Sequence, residues 1–213
     1  MKNFPRILMI IASLGLLTLF LFPMWRITLY APQYPSGVTM YIHINKIGGD
    51  SPGTLQNVNI LNHYVGMKPI VPESIPELKF LPIVVIVFVV LGLIAAFINR
   101  PKLFLGWAVL VSIGALLGVY DFYLWEYDYG HSLSPDAPMK FPGASFQPPL
   151  IGTKIILNFV AESFPHTAGI IAGFSILLAY IAGYLGIKKY PKNESTNSSD
   201  SSSNSGELVH TNA

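Results

Sequence analysis

The sequence contains no cysteine. This absence excludes disulfide bonds, thiolate metal sites, iron–sulfur clusters, covalent c-type haem attachment and cysteine nucleophiles together. Glycine loops of the P-loop or dinucleotide-binding type are also missing, as are the Gly-x-Ser-x-Gly and His-Glu-x-x-His motifs. Any chemistry must therefore use His, Met, Asp, Glu or Tyr, and nothing indicates coupling to ATP.

Charge is scarce as well. Charged residues make up 11% of the chain, whereas an average soluble domain has about 25%. The formal net charge is only +2, and the basic residues are scattered without a stripe that could follow a phosphate backbone. The composition thus indicates lipid as a solvent and argues against nucleic acid as a partner.

Hydrophobic residues make up 52% of the chain and gather in four runs. A helix needs about 20 apolar residues to cross a hydrocarbon core of about 30 Å, so each run predicts a transmembrane span. The predicted order is an N-terminal tip and first span (1–29, apolar from Ile7), a first outer loop (30–80), a second span (81–98), a hairpin (99–102), a third span (103–120), a second outer loop (121–167), a fourth span (168–187) and a disordered tail (188–213).

The positions of Lys and Arg predict the orientation. Seven of the 13 basic residues lie in the N-terminal tip, the short hairpin and the C-terminal flank. The other six are diluted over the two longer loops, where acidic residues outnumber them. Because cytoplasmic segments are enriched in Lys and Arg, both termini are predicted to be cytoplasmic, in a multi-pass protein of the cytoplasmic (inner) membrane.

The outer loops have patterns of their own. Residues 38–45 alternate between apolar and polar, as in a half-buried strand. Leu55, Val58, Leu61 and Val65 have helical spacing, which Gly66 can end. The aromatic segment 121–131 can extend the third span, and 151–160 is predicted as a short surface helix. The predicted fold is membrane α-helical, a four-transmembrane-helix bundle with a small mixed α/β extracytoplasmic domain built from both loops.

Small residues recur four positions apart in the third and fourth spans. Such spacing allows helix backbones to approach closely. The pairs are Gly114 with Gly118, Gly169 with Gly173, and Ala179 with Gly183. Packing within this chain is favoured over dimerisation. Ionisable residues are absent from the middle of the spans, which argues against a proton relay or an ion path.

Four loop residues are the candidate metal ligands. His63 and Met67 lie four residues apart and would share a helix face, while Asp128 and His131 follow the third span. Imidazole and thioether groups suit copper, especially Cu(I), whereas a carboxylate is a harder ligand. The alternative is structural: Met40 and Met67 pack in a core and the histidines form hydrogen bonds in the loops. The two loops are expected to meet, because they leave the same end of one bundle.

An enzymatic interpretation stays open beside the metal hypothesis. Asp121, Glu126, Asp128 and His131 could act as general acids and bases on a substrate at the membrane face. Acidic residues at the end of a span are, however, more often simply solvated, and no residue resembles an activated nucleophile. The sequence therefore assigns no catalytic residue.

Three segments, Ile27 to Gly37, Leu61 to Lys68 and Trp125 to His131, resemble small multispan membrane proteins associated with maturation of the copper enzyme nitrous oxide reductase. The resemblance covers the outer loops and little of the helices. It implies an accessory role outside the cytoplasmic membrane, without a ligand set. The sequence thus predicts an assembly protein whose loops bind copper or a periplasmic partner, the alternative being a subunit of a membrane enzyme or transporter.

Overall fold

The computed structural model describes residues 3–141, 143 and 145–189, so the predicted tail beyond Lys189 lies outside the described residues. The elements are α1 (Phe4–Gly15), a 3-10 helix (Leu16–Phe20), β1 (Trp25–Ala31), β2 (Tyr34–Ile42), β3 (Ile47–Gly49), α2 (Thr54–Val65), a second 3-10 helix (Pro72–Ser74), α3 (Glu77–Ile98), α4 (Pro101–His131), β4 (Gly152–Ile156), β5 (Phe159–Pro165) and α5 (Thr167–Lys189).

Three helices, α3, α4 and α5, are long and apolar enough to cross a membrane. The segment Phe4–Phe20 is apolar but shorter. It packs against α3 and α5, and α4 packs against the same two helices. Met9, Phe104 and Ala108 are completely buried where these helices meet. The membrane-helical class with a small sheet is therefore supported, whereas four membrane spans stay a prediction.

The first apolar helix ends earlier than predicted. The chain leaves the 3-10 helix after Phe20, and β1 begins at Trp25, so the prediction of helix up to residue 29 was wrong. Pro23 has no backbone N–H for a helical hydrogen bond. Beyond it, the alternation of Trp25, Ile27 and Leu29 with more polar neighbours has the period of a strand.

The short connection between α3 and α4 was predicted correctly. Asn99 closes α3 in the left-handed conformation, with φ 57° and ψ 39°. Arg100 is extended and Pro101 opens α4. Asparagine tolerates the left-handed region and proline suits the first helical position, so the sequence Asn-Arg-Pro accounts for an abrupt antiparallel reversal.

The five strands form one antiparallel sheet in the order β3-β2-β1-β5-β4. In β1, Ile27 lies opposite Met40 of β2 and Ser163 of β5, which places these three side chains on the same face. We call this face the inner face, because Met40 and Ile27 pack there with Val58 of α2 and with aromatic residues of α4. The predicted strand of loop one corresponds to β2, and its predicted helix corresponds to α2.

The segment 151–160, predicted as a surface helix, is instead most of a β-hairpin. Ile156 pairs with Phe159, and the two strands continue from there to Gly152 and Ser163. β5 also pairs with β1, which is distant in the sequence, and no local pattern reveals this pairing. This prediction was wrong because tertiary pairing overrides weak local preference in short apolar segments.

Helix α4 continues into the sheet. Its 31 residues extend about 46 Å at 1.5 Å per residue, well beyond a hydrocarbon core of about 30 Å. Phe122, Trp125 and Tyr129 pack against the inner face. We call β1–β5, α2, the part of α4 beyond Tyr120 and their connecting segments the sheet domain.

Candidate ligand-binding site

A cavity of about 90 Å³ lies within the sheet domain. The inner face forms one wall through Ile27 and Met40, and α2 forms another through Val58 and Leu61. The C-terminal end of α4 forms a further wall through Trp125, Glu126 and Tyr129, which lie on one face of the helix. Elements from both predicted outer loops thus enclose a single, mainly apolar space.

Glu126 is the polar exception in this wall. It is 0% exposed, and among the residues that the structure describes neither carboxyl oxygen has a hydrogen-bond partner. Burial raises the pKa of Glu126 to about 8, because a charged carboxylate is poorly solvated there. The structure therefore holds a carboxyl group that is substantially protonated near neutral pH.

The helical register of α4 explains why Glu126 is buried. Phe122, Trp125, Glu126 and Tyr129 follow the spacing i, i+3, i+4 and i+7, which forms one stripe along a helix. The three aromatic members pack on the inner face, so the glutamate must point the same way. An unsatisfied buried polar group costs about 1–3 kcal/mol, and a native protein that keeps one often does so for function.

Two other polar side chains in the wall donate hydrogen bonds to backbone carbonyl oxygens. The Asn62 side-chain amide donates to the carbonyl oxygen of Lys68 at 3.3 Å, and the Tyr129 hydroxyl donates to that of Pro69 at 3.3 Å. The first bond holds the segment after α2 against α2, and the second holds it against α4. Neither donor is directed to Glu126, which leaves the carboxyl group as a polar contact for a ligand.

The last part of the cavity wall comes from the connection between α4 and β4, whose backbone packs closely against α4. The amide of Phe146 donates to the carbonyl oxygen of Gly130 at 3.0 Å. A side chain at position 130 would collide with the backbone of Gln147, so glycine allows the long connection after α4 to lie against the helix. Phe146 and Pro148 then complete the cavity wall.

The two predicted outer loops meet, as expected from the sequence. Lys68 donates to a carboxylate oxygen of Asp128 at 2.8 Å, and the amide of Ser134 donates to the carbonyl oxygen of Gly66 at 2.8 Å. Gly66 has φ 82° and ends α2, which turns the chain towards α4. The contact is made by side chains and backbone of both loops.

The four predicted metal ligands have other contacts. Asp128 accepts hydrogen bonds from Lys68 and Ser132, which lower its pKa. Nδ1 of His131 lies 2.9 Å from the Tyr127 carbonyl oxygen, and its ring stacks on Tyr127 at 4.0 Å between centroids. The Met67 side chain lines the cavity. His63 is exposed beside the ring of Tyr64.

These contacts do not assemble a metal centre. In the described part of the chain, no three His, Asp or Glu residues are grouped closely enough to hold an ion. A copper ion shared by His63, Met67, Asp128 and His131 would have to displace Lys68 from Asp128 and draw Met67 out of the cavity wall. The donor set as placed does not fit copper, and copper binding by these residues stays a prediction.

From the sequence, Glu126 was predicted only as one of several acidic residues at the end of a span. Its burial is indicated by its position in the aromatic stripe of α4, where the helical period predicts an apolar residue. Asp121, named with it, is exposed and lies at the start of this segment; partial loss of solvation and the nearby Glu77 raise its pKa.

No protein-family model matches this chain, and no curated protein or solved structure matches it either.

Proposed function

We propose that this chain is a membrane-anchored binding protein whose sheet domain captures a small, mainly apolar ligand and holds it through the carboxyl group of Glu126. The observation that carries the proposal is the combination of an apolar cavity with a fully buried carboxyl group that has no partner among the described residues. Ligand sites are typically apolar clefts with a few well-placed polar groups, and this cavity fits that description.

Binding is favoured over catalysis by the composition of the wall. Glu126 and Tyr129 are the only residues with titratable side chains among the described residues that line the cavity. General acid–base chemistry needs a second group or a nucleophile in reach of the same substrate. Since Tyr129 donates its hydroxyl to Pro69, the carboxyl group is better suited to recognition.

The proposal includes the membrane topology predicted from the sequence. The segment Phe4–Phe20 reaches about 28 Å, because 12 residues are α-helical and five are 3-10 helical with rises of about 1.5 and 2.0 Å. That length approaches the hydrocarbon core of about 30 Å and supports a fourth span. The distribution of Lys and Arg supports cytoplasmic termini, with the sheet domain on the opposite side of the cytoplasmic membrane.

An accessory role follows from the same features. A binding cavity held at the outer face of the cytoplasmic membrane suits a protein that presents its ligand to an extracytoplasmic partner. The resemblance of both loops to accessory proteins of nitrous oxide reductase supports this role. We propose it as the setting in which the cavity works, with the partner contacting the sheet domain.

Replacement of Glu126 by the similarly sized Met tests the proposal through stability. If the carboxyl group is kept for a ligand, Glu126→Met removes an unsatisfied buried group and raises the free energy of unfolding in detergent by about 1–3 kcal/mol. Thermal unfolding of the purified protein measures the change. Glu73→Met, at an exposed position, is the matched control and is expected to stay within about 0.5 kcal/mol of the wild type. Clear destabilisation by Glu126→Met would show that the carboxyl group has a structural role.

A further inference from the structure

We infer that the ligand carries a protonated amine on a short aliphatic body, and that this ammonium group pairs with Glu126 inside the cavity. The inference rests on the proposed binding function and names the chemical class that the cavity takes. It follows from three properties of the wall: its acceptor, its charge and its aromatic rings.

The hydrogen-bond acceptor in the wall is the carboxyl group of Glu126. Within the described ranges, both of its oxygens are buried without a hydrogen bond. Asn62 and Tyr129 each donate to a backbone carbonyl oxygen, and neither side chain is hydrogen-bonded to Glu126. The protonated carboxyl group has a single O–H to donate, so a ligand that only accepts hydrogen bonds would leave its other oxygen unpaired. A ligand with several N–H groups satisfies both oxygens, and a charge-assisted N–H···O bond is stronger than a neutral one.

The charge of the wall excludes an anionic ligand. No Lys, Arg or His is found among the described residues that line the cavity. Lys68, the basic residue next to Met67, extends outward to Asp128, and both side chains are 51% exposed. A carboxylate or phosphate in the cavity would therefore have no basic counter-ion, whereas an ammonium group would find one in Glu126 once the carboxyl group gives up its proton on binding.

Aromatic rings supply the third property. Trp125 and Tyr129 line the cavity on either side of Glu126 in the α4 stripe, with ring centroids 4.3 Å apart. Phe146 and Phe159 contribute further rings to the wall. Ligand cations are attracted to aromatic faces, most strongly to Trp, and desolvation strengthens the attraction. A carboxyl group among aromatic rings is a recognised environment for an organic ammonium ion.

The cavity limits the size of the ligand. An engineered apolar cavity of about 150 Å³ holds benzene, which has six non-hydrogen atoms. In proportion, 90 Å³ holds roughly four. Propylammonium has this size, and 1-propanol and propionate provide a neutral and an anionic probe of similar length.

The absence of cysteine allows a direct binding assay. Val58 is 2% exposed and lines the cavity, so Val58→Cys introduces the single thiol of the chain with little change of volume. The rate at which methyl methanethiosulfonate modifies this thiol, in the full-length protein in detergent, is measured with and without each probe at millimolar concentration. Ser51→Cys, at an exposed position, corrects for any effect of a probe on the reagent.

We expect propylammonium to slow modification of Val58→Cys at least tenfold at saturation, 1-propanol to act only at much higher concentration, and propionate to have no effect. Adding Glu126→Gln should weaken protection by propylammonium at least tenfold and leave that by 1-propanol unchanged. Equal protection by propylammonium and 1-propanol, with no effect of Glu126→Gln, would overturn the ammonium inference and the role of Glu126, while the capture of a small apolar ligand in the cavity would stand. Protection by none of the probes would overturn both.

Discussion

Glu126 occupies a position that its neighbours mark as apolar. The aromatic residues at positions 122, 125 and 129 form the stripe that packs on the sheet, and the glutamate lies within that stripe. Its burial could therefore be predicted from sequence by helical periodicity. Its lack of a partner among the described residues could not, because hydrogen bonding depends on what the strands and loops bring to the cavity from distant parts of the chain.

The stability of the protein should depend on pH through Glu126. The pKa of its carboxyl group is about 8 in the folded chain, against an ordinary value of 4.5. Between these values the folded state holds a proton that the unfolded state releases. The contribution of Glu126 to the free energy of unfolding should therefore be greatest below pH 4.5 and fall as the pH rises towards 8. The loss is on the order of a few kcal/mol, since one pKa unit corresponds to about 1.36 kcal/mol.

Denaturant unfolding of the wild type and of Glu126→Gln across this pH range measures the dependence. Asp128, whose pKa is lowered by Lys68, contributes with the opposite sign in both proteins, so it cancels in the difference. Glu73→Gln is the exposed control and should follow the wild type. Parallel curves for wild type and Glu126→Gln would mean that the buried carboxyl group titrates normally.

At the scale of single elements, strong local patterns were predictable and weak ones were not. α2 was predicted because its apolar residues have helical spacing and Gly66 ends it, and the structure confirms both features. β1 was missed because it follows the first apolar run almost directly, so its alternating residues were counted as the end of the span. β4 and β5 were missed because β5 pairs with the distant β1 and β4 in turn pairs with β5.

Two glycines of α5 that sequence reasoning treated alike have different surroundings. A side chain at Gly169 would collide with the backbone carbonyl of Met24, whereas a side chain at Gly173 meets no described atom within 4 Å. Gly169→Ala should destabilise the protein by about 1–3 kcal/mol, as overpacking does. Gly173→Ala should be neutral or stabilising by up to about 1 kcal/mol, because alanine favours helix. Thermal unfolding in detergent compares the two variants, and equal effects would contradict the close approach at Gly169.

At the scale of the whole molecule, the sheet joins distant parts of the chain. β1 follows the first apolar helix and β5 precedes the last, yet the two pair along six positions. The indole N–H of Trp25 donates to the hydroxyl of Ser163 at 2.8 Å across this pair. The meeting of the two loops was predictable, because both leave the same end of the helices. The central pairing of β1 with β5 was not, because sequence periodicity carries no information about partners so far apart.

The proposed topology predicts which surfaces reagents reach from outside the cell. Ser51 lies in the sheet domain and Lys102 lies in the first turn of α4, at the other end of the two apolar helices α3 and α4. Because the chain has no cysteine, Ser51→Cys and Lys102→Cys each provide one thiol for a membrane-impermeant maleimide.

In intact cells that express the protein, with any outer barrier permeabilised, Ser51→Cys should be labelled. Lys102→Cys should be labelled only after the cytoplasmic membrane is opened, because short segments rich in Lys and Arg stay cytoplasmic. The reverse pattern would show that the sheet domain is cytoplasmic, and labelling of both in intact cells would contradict a membrane barrier between the two ends of α3 and α4.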